Sequence, residues 1–296
     1  MDKRKAFTLL ELLVVVGILA LLLAILMPSL SIGHERAKRT VCASNMRGIS
    51  QAMYLYAQDA PFLFPTLFAT REQNDGAMYL FYPQHRTWVP STTGIPSPTV
   101  DLWVLLRRSM TAPKQFICPS TTDVPDPATD TTAYYDFYLS PASTSLSPHL
   151  SYGYQYQHDP NCRPLGIGSD PIFPVLADAN PYIKGQVLIG GATIASDRVS
   201  QYRGNSANHP NREGQNVLFV DAHVSFENGP DVGLSGQHSP SVTFSRGRDH
   251  CYTVHTPPSG TTQYPVDYGA AAPTWTSPSL PGVCNLGSKS DACLVP

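Results

Sequence analysis

From residue 12 to residue 33 the chain carries no charged side chain over 22 residues, and one carboxylate, Glu11, stands at the head of that run. As a helix, a run of this length crosses a hydrocarbon core of ~30 Å. It must sit in lipid or be wrapped by other apolar surface. Glu11 conflicts with that environment, because a carboxylate in lipid costs at least ~2.5 kcal/mol. The position therefore calls for a counter-charge or a function. A cleaved secretory signal matches less well. Its apolar core is only about 7–15 residues long and ends at a small-residue cleavage site, whereas Pro28-Ser29-Leu30 leads here into further helical sequence. A plain membrane anchor accounts for the length but not for Glu11.

The residues around Glu11 are more specific. Lys3-Arg4-Lys5, the small Ala6, then Phe7-Thr8-Leu9-Leu10-Glu11 and the long apolar run resemble the type III signal of type IV pilins and type II secretion pseudopilins. The resemblance implies cleavage by a prepilin peptidase between Ala6 and Phe7 and methylation of the new Phe7 amine. It also implies that Glu11 pairs with that amine on a neighbouring filament subunit, which neutralises the charge. The family usually has Gly where this chain has Ala6. The implied partners are prepilin peptidase, other pilin or pseudopilin subunits and the cytoplasmic membrane. Lys3-Arg4-Lys5 favours a cytoplasmic N-terminus, but His34-Glu35-Arg36-Ala37-Lys38-Arg39 is also basic on the far side. Orientation is thus taken from the resemblance: a single-pass protein of the cytoplasmic membrane, its head outside and able to enter an extracytoplasmic filament.

Beyond residues 7–58, about 240 residues remain, enough for a sizeable core. Only 14% of residues are charged, against 28 Pro and 21 Gly, which favours a loop-rich, β-containing head over a helical bundle. Loss of the leader takes Asp2 with three cations, so the formal charge falls from −2 to −4. No nucleic-acid partner is expected from that balance. The expected class is α+β and pilin-like: a long N-terminal helix, transmembrane in its first half, packed on a mainly antiparallel sheet with long loops. The expected divisions are a cleaved leader (1–6), a stalk helix (7–58) whose residues 7–31 span the membrane, a head (59–254) and a Pro/Ser/Thr/Gly-rich extension (255–296).

Along the stalk, Pro28 removes a backbone donor and is expected to kink the helix. Farther on, Cys42, Met46, Ile49, Met53 and Tyr56 recur at helical spacing and form a stripe that should face the head. Residues 101–106 suggest a short helix capped by Asp101. Residues 116–120 resemble a strand end entering a turn. Residues 151–157, 172–176 and 187–195 have strand patterns, and residues 216–226 form a hairpin pattern with Asp221-Ala222 at its tip.

A second resemblance rests on Val41-Cys42-Ala43-Ser44-Asn45-Met46-Arg47, on Phe116-Ile117-Cys118-Pro119-Ser120, and on Asn208-His209 followed by Gly214-Gln215-Asn216-Val217-Leu218-Phe219-Val220-Asp221-Ala222-His223-Val224. These segments resemble a pseudopilin-like group that joins the cleavage signal to a processing-associated H-X9-DG domain. Eleven residues, not nine, separate His209 from Asp221, and Ala222 replaces the glycine. Glycine adopts positive φ easily and alanine does not, so a different turn is expected.

Six cysteines and no CxxC pair fit disulfides in an exported domain. Cys42 and Cys118 are candidates for a bridge between stalk and sheet, nominally worth ~4 kcal/mol, and Cys284 and Cys293 for a clip in the tail. Asp178, His209, Asp221 and His223 all flank predicted strand ends. Imidazole with carboxylate suits Zn²⁺, and carboxylates with backbone oxygens suit Ca²⁺. Some major pseudopilins bind calcium in a C-terminal loop. In the alternative, Asp221 closes the hairpin turn on its own backbone and His209 bonds a buried carbonyl. No cofactor is required by the sequence. No nucleophile motif, HExxH or phosphate loop is present, so the expected role is a structural filament subunit and not an enzyme. A membrane-tethered binding or adhesion protein that does not polymerise is the alternative. A metal-dependent hydrolase using the four polar residues comes third.

Overall fold

The computed structural model describes residues 9–59, 62–66, 99–138, 149–155, 157, 164–179, 183–184, 187–188, 205–229, 232, 251 and 294–295. Helix α1 (Leu9–Asp59) is a single 51-residue helix and is assigned continuously through Pro28. At 1.5 Å per residue it is roughly 75 Å long, and its two halves have opposite surroundings. Leu9 to Ile32 present their apolar side chains outward on every side. This is the one helix among the described residues long and apolar enough to cross a membrane. From Cys42 onward a stripe closes against the head. Cys42, Met46, Ile49 and Met53 are buried, Ala52 and Ala57 fill the positions between, and Tyr56 packs partly against the same core.

Helix α2 (Thr99–Arg107) lies beside this stripe and contributes Leu102, Trp103, Leu105 and Leu106 to the core. It begins two residues before Asp101, which stands inside its first turn, so the expectation that Asp101 caps it is corrected. The expected strand end at 116–120 is also corrected. The chain there makes a 3-10 turn (Pro113–Phe116) that drops Phe116 into the core. Pro113 at the start of that turn fixes φ and has no N–H to leave unsatisfied.

The head sheet has four main strands, β1 (Tyr152–Gln155), β2 (Pro174–Asp178), β5 (Gln215–Phe219) and β6 (Val224–Glu227), with two-residue β7 (Leu294–Val295) at one edge. Its order is β6-β5-β2-β1-β7, and every pairing is antiparallel. A separate antiparallel ribbon joins β3 (Ile183–Lys184) to β4 (Val187–Leu188); the rest of the strand expected over 187–195 lies outside the described residues. The layout is α+β and pilin-like: one long helix laid across an antiparallel sheet.

Register sorts the sheet's helix-facing residues into two rows. Tyr154, Leu176, Leu218 and Val224 stand opposite one another across the four strands and belong to the apolar core or pack against it. One pleat away, Tyr152 stands opposite Asp178, and Asn216 opposite Phe226. Side chains two apart along a strand share a face, so this second row also meets α1. It meets the helix higher up, toward the membrane half. Two polar residues in a row otherwise made of aromatic rings define the site.

Candidate functional site

Asp178 ends β2 with its side chain fully buried. A carboxylate in that position is tolerated only if its lone pairs are filled. Here Oδ2 accepts the backbone N–H of Asn216 at 2.7 Å, and Oδ1 accepts the amide of Asn208 at 3.0 Å and the thiol of Cys42 at 3.3 Å. His209 Nε2 lies 3.1 Å from Oδ2.

His209 precedes Pro210, which restricts it to extended backbone. It adopts φ −106° and ψ 146° at the entry to a 3-10 turn (Pro210–Arg212), and that geometry delivers the ring inward. Nε2 faces Asp178, while Nδ1 lies 2.8 Å from Oε1 of Glu35 on α1. Glu35 also accepts the hydroxyl of Ser120 at 3.0 and 3.1 Å and lies 3.6 Å from Arg39 Nε. Arg39 in turn bonds Glu213 at 2.6 Å and lies over the Phe226 ring at 4.4 Å. Helix, loop and sheet are therefore joined through one imidazole held between two carboxylates.

Electrostatics follow from this placement. Burial alone lowers the His209 pKa, but hydrogen bonding and charge from Asp178 and Glu35 outweigh it and raise the value to about 9. The ring is an imidazolium at neutral pH, stabilised by opposite charge on both sides. Burial, the neighbouring Cys118 and the charge of Asp178 push the Cys42 thiol well above its ordinary range. Cys42 is thus a poor nucleophile, since the reactive form is the thiolate. Buried, charge-balanced and held by interactions from several segments, the arrangement is suited to fixing α1 on the sheet.

Four residues expected at one site divide into two pairs. Asp178 and His209 meet in the buried row. Asp221 and His223 lie on the exposed turn between β5 and β6, and their side chains bond each other there. The four-residue Ca²⁺ or Zn²⁺ site is corrected on that ground: the hairpin carries the second pair past the edge of the core. Asp221 closes its turn as expected, accepting the backbone N–H of His223 at 3.1 Å. The His223 ring stacks on Phe219 with centroids 4.3 Å apart. Ala222 takes φ 70°, so the left-handed conformation usually left to glycine is made here by alanine. His209 bonds carboxylates, in place of the buried carbonyl expected of it.

The structure brings the two cysteines of the expected Cys42–Cys118 bridge together, with their sulfurs within 4.8 Å of each other. Both cysteines are buried and unbonded in this structure, with Cys42 Sγ 3.4 Å from the Tyr152 hydroxyl. Cys284 and Cys293 lie outside the described residues, as do Ala6 and Phe7. Glu11 stands in the first turn of α1. Sequence reasoning missed Glu35, which sits inside the basic run of residues 34–39 and is masked by it. It also missed Asn208 and Asn216 as carboxylate donors. The available signal was that the segments around Cys42, Cys118 and His209 were the ones carrying the second resemblance, and they converge here.

Residues 1–27 match the family model of the prokaryotic N-terminal methylation motif. No curated protein and no solved structure matches the chain. The motif and the helix-on-sheet layout support a type IV pilin-like protein of the kind processed by prepilin peptidase. The apolar half of α1, with this motif, is consistent with an inner-membrane anchor.

Proposed function

We propose that this chain is a structural subunit of a type IV pilus-like or type II secretion-like filament. Prepilin peptidase cuts between Ala6 and Phe7, the Phe7 amine is methylated, and Glu11 pairs with that amine on the adjacent subunit. The head lies outside the cytoplasmic membrane, and the protein acts by assembly, not turnover. The observation that carries this reading is the division of α1. One half buries a single stripe in its own head, and the other, from Leu9 to Ile32, exposes apolar surface all round. That surface needs lipid before assembly and fits a bundle of like helices after it. The convergence of the Cys42, Cys118 and His209 segments on one site supports the further reading of the head as an H-X9-DG-type domain.

Replacing Glu11 tests the role. Glu11→Ala makes the helix more apolar, so membrane insertion and head folding persist while filament yield collapses. Normal filament yield would exclude the pairing role. Mass spectrometry of the protein from its native membrane tests processing. A methylated Phe7 terminus is expected, whereas an intact Ala6–Phe7 bond would identify a permanent tether that does not polymerise.

A further inference from the structure

Cys42, Cys118, Asp178 and His209 come from four separate segments, and all are buried. Each offers one donor atom, and these four atoms lie within 4.8 Å of one another. Cys42 Sγ is 3.3 Å from Asp178 Oδ1, and His209 Nε2 is 3.1 Å from Asp178 Oδ2. Zinc–sulfur bonds of ~2.3 Å and zinc–nitrogen or –oxygen bonds of ~2.0 Å place neighbouring tetrahedral ligands roughly 3.3–3.8 Å apart. The two contacts to Asp178 are near that scale, and the four atoms, within 4.8 Å of one another, have only to draw slightly inward on a bound ion.

We propose that Cys42, Cys118, Asp178 and His209 form a structural zinc site that pins the stalk helix to the head. The surrounding groups have the form such a site needs. A zinc-bound imidazole is usually oriented by a carboxylate on its other nitrogen, and Glu35 lies 2.8 Å from His209 Nδ1 while Nε2 faces the cluster. Asp178 is held in turn by Asn208 Nδ2 and the Asn216 N–H. Ser120 and Arg39 fix Glu35. Two sulfurs favour zinc over calcium or magnesium, which take oxygen ligands. Four protein ligands leave no open position for substrate, so the site is structural and not catalytic. On binding, zinc takes the place of the proton on Nε2 and both thiols become thiolates, so three protons pass to solvent. The inference rests on the head and is independent of whether the chain polymerises.

The test uses the full chain, purified in detergent under reducing conditions and loaded with Zn²⁺ or Co²⁺. One zinc per chain should survive dialysis and leave only to a strong chelator, with a lower melting temperature afterwards. The cobalt form should show thiolate-to-metal charge transfer and the intense visible absorption of a tetrahedral centre. Cys118→Ser should remove about half of the charge-transfer intensity, in proportion to the thiolates lost. Asp221→Asn should leave both metals bound one to one. The wild-type cobalt spectrum is decisive by itself if Cys118→Ser does not fold. The proposal is overturned if the reduced chain binds no stoichiometric metal, if cobalt binds without thiolate charge transfer, or if Asp221→Asn abolishes binding. A Cys42–Cys118 disulfide in protein from its native membrane would also overturn it, since both sulfurs would then be consumed.

Discussion

Asp178–His209 and Asp221–His223 are the same two residue types in hydrogen-bonding contact, and they do different work. The first pair is fully buried between helix and sheet. The second is about half exposed on a hairpin tip, with side-chain exposures of 44% and 47%. In the buried pair, low local dielectric strengthens every interaction and makes any unmatched group costly. At the tip, water competes with each bond, and exposed ion pairs contribute little. Environment, not chemical identity, separates a clamp from a turn cap.

The largest effect should come from breaking the buried pair. Asp178→Leu leaves the His209 imidazolium and the donors on Asn208 and Asn216 without their acceptor. Glu35 still faces the ring, but a loss of about 3–5 kcal/mol is expected for removing one partner of a buried ion pair. Thermal or urea melts of the detergent-solubilised chain, with chelator present, measure it. A loss no larger than that of Asp221→Leu would erase the distinction between the pairs.

Glu35→Gln should come next. It keeps the shape and removes the charge that His209 and Ser120 address, at about 1.5–3 kcal/mol. The same melts apply, and a double-mutant cycle with Ser120→Ala would give a nonzero coupling if the three groups act together.

The two pairs should also separate on the pH axis. In chelator, His209 has a folded pKa of about 9 against ~6.5 when unfolded. Its stabilisation is therefore complete below about 6.5 and fades as the pH climbs toward 9. Asp221 behaves in the opposite sense. Slight burial opposes ionisation, but hydrogen bonds from the His223 ring and amide hold its pKa below the ordinary 3.8. Its contribution is present above that value and disappears as the pH falls through the depressed one. Melting temperature against pH should lose the alkaline decline in His209→Gln and retain it in Asp221→Asn.

The smallest effects belong to the tip. Asp221→Leu should cost about 1 kcal/mol by removing the acceptor for the His223 N–H. Ala222→Gly should change stability by less than about 1 kcal/mol, because relief of the left-handed strain at φ 70° is opposed by glycine's greater freedom when unfolded. A loss at the tip as large as that at Asp178 would show that the hairpin, not the clamp, holds the head together.

The amphipathic switch along α1 was legible in the sequence because helical period and side-chain polarity are local properties. So were the strands ending at Asp178 and flanking Asp221, whose apolar runs end in turn residues. The short helix near Asp101 was legible apart from its start, which lies two residues earlier than expected, but the turn at Phe116 was less so. There, packing of Trp103 and Phe116 against Phe137, with ring centroids 5.0 and 5.1 Å away, selects a conformation that local propensity leaves open.

The sequence by itself determined a membrane-length apolar helix headed by a carboxylate, a prepilin-type start, and a β-rich head with a hairpin at Asp221. Those are matters of period, composition and short spacing. Only the tertiary structure decided that His209 belongs with Asp178 and Glu35, 174 positions back along the chain, and not with Asp221. It also decided that Cys42 and Cys118 meet beside them. Register decided this: Tyr152 opposite Asp178, and Asn216 opposite Phe226, set a polar row under the helix. Pairing between distant strands is fixed by the burial of whole faces, which no short window of sequence contains.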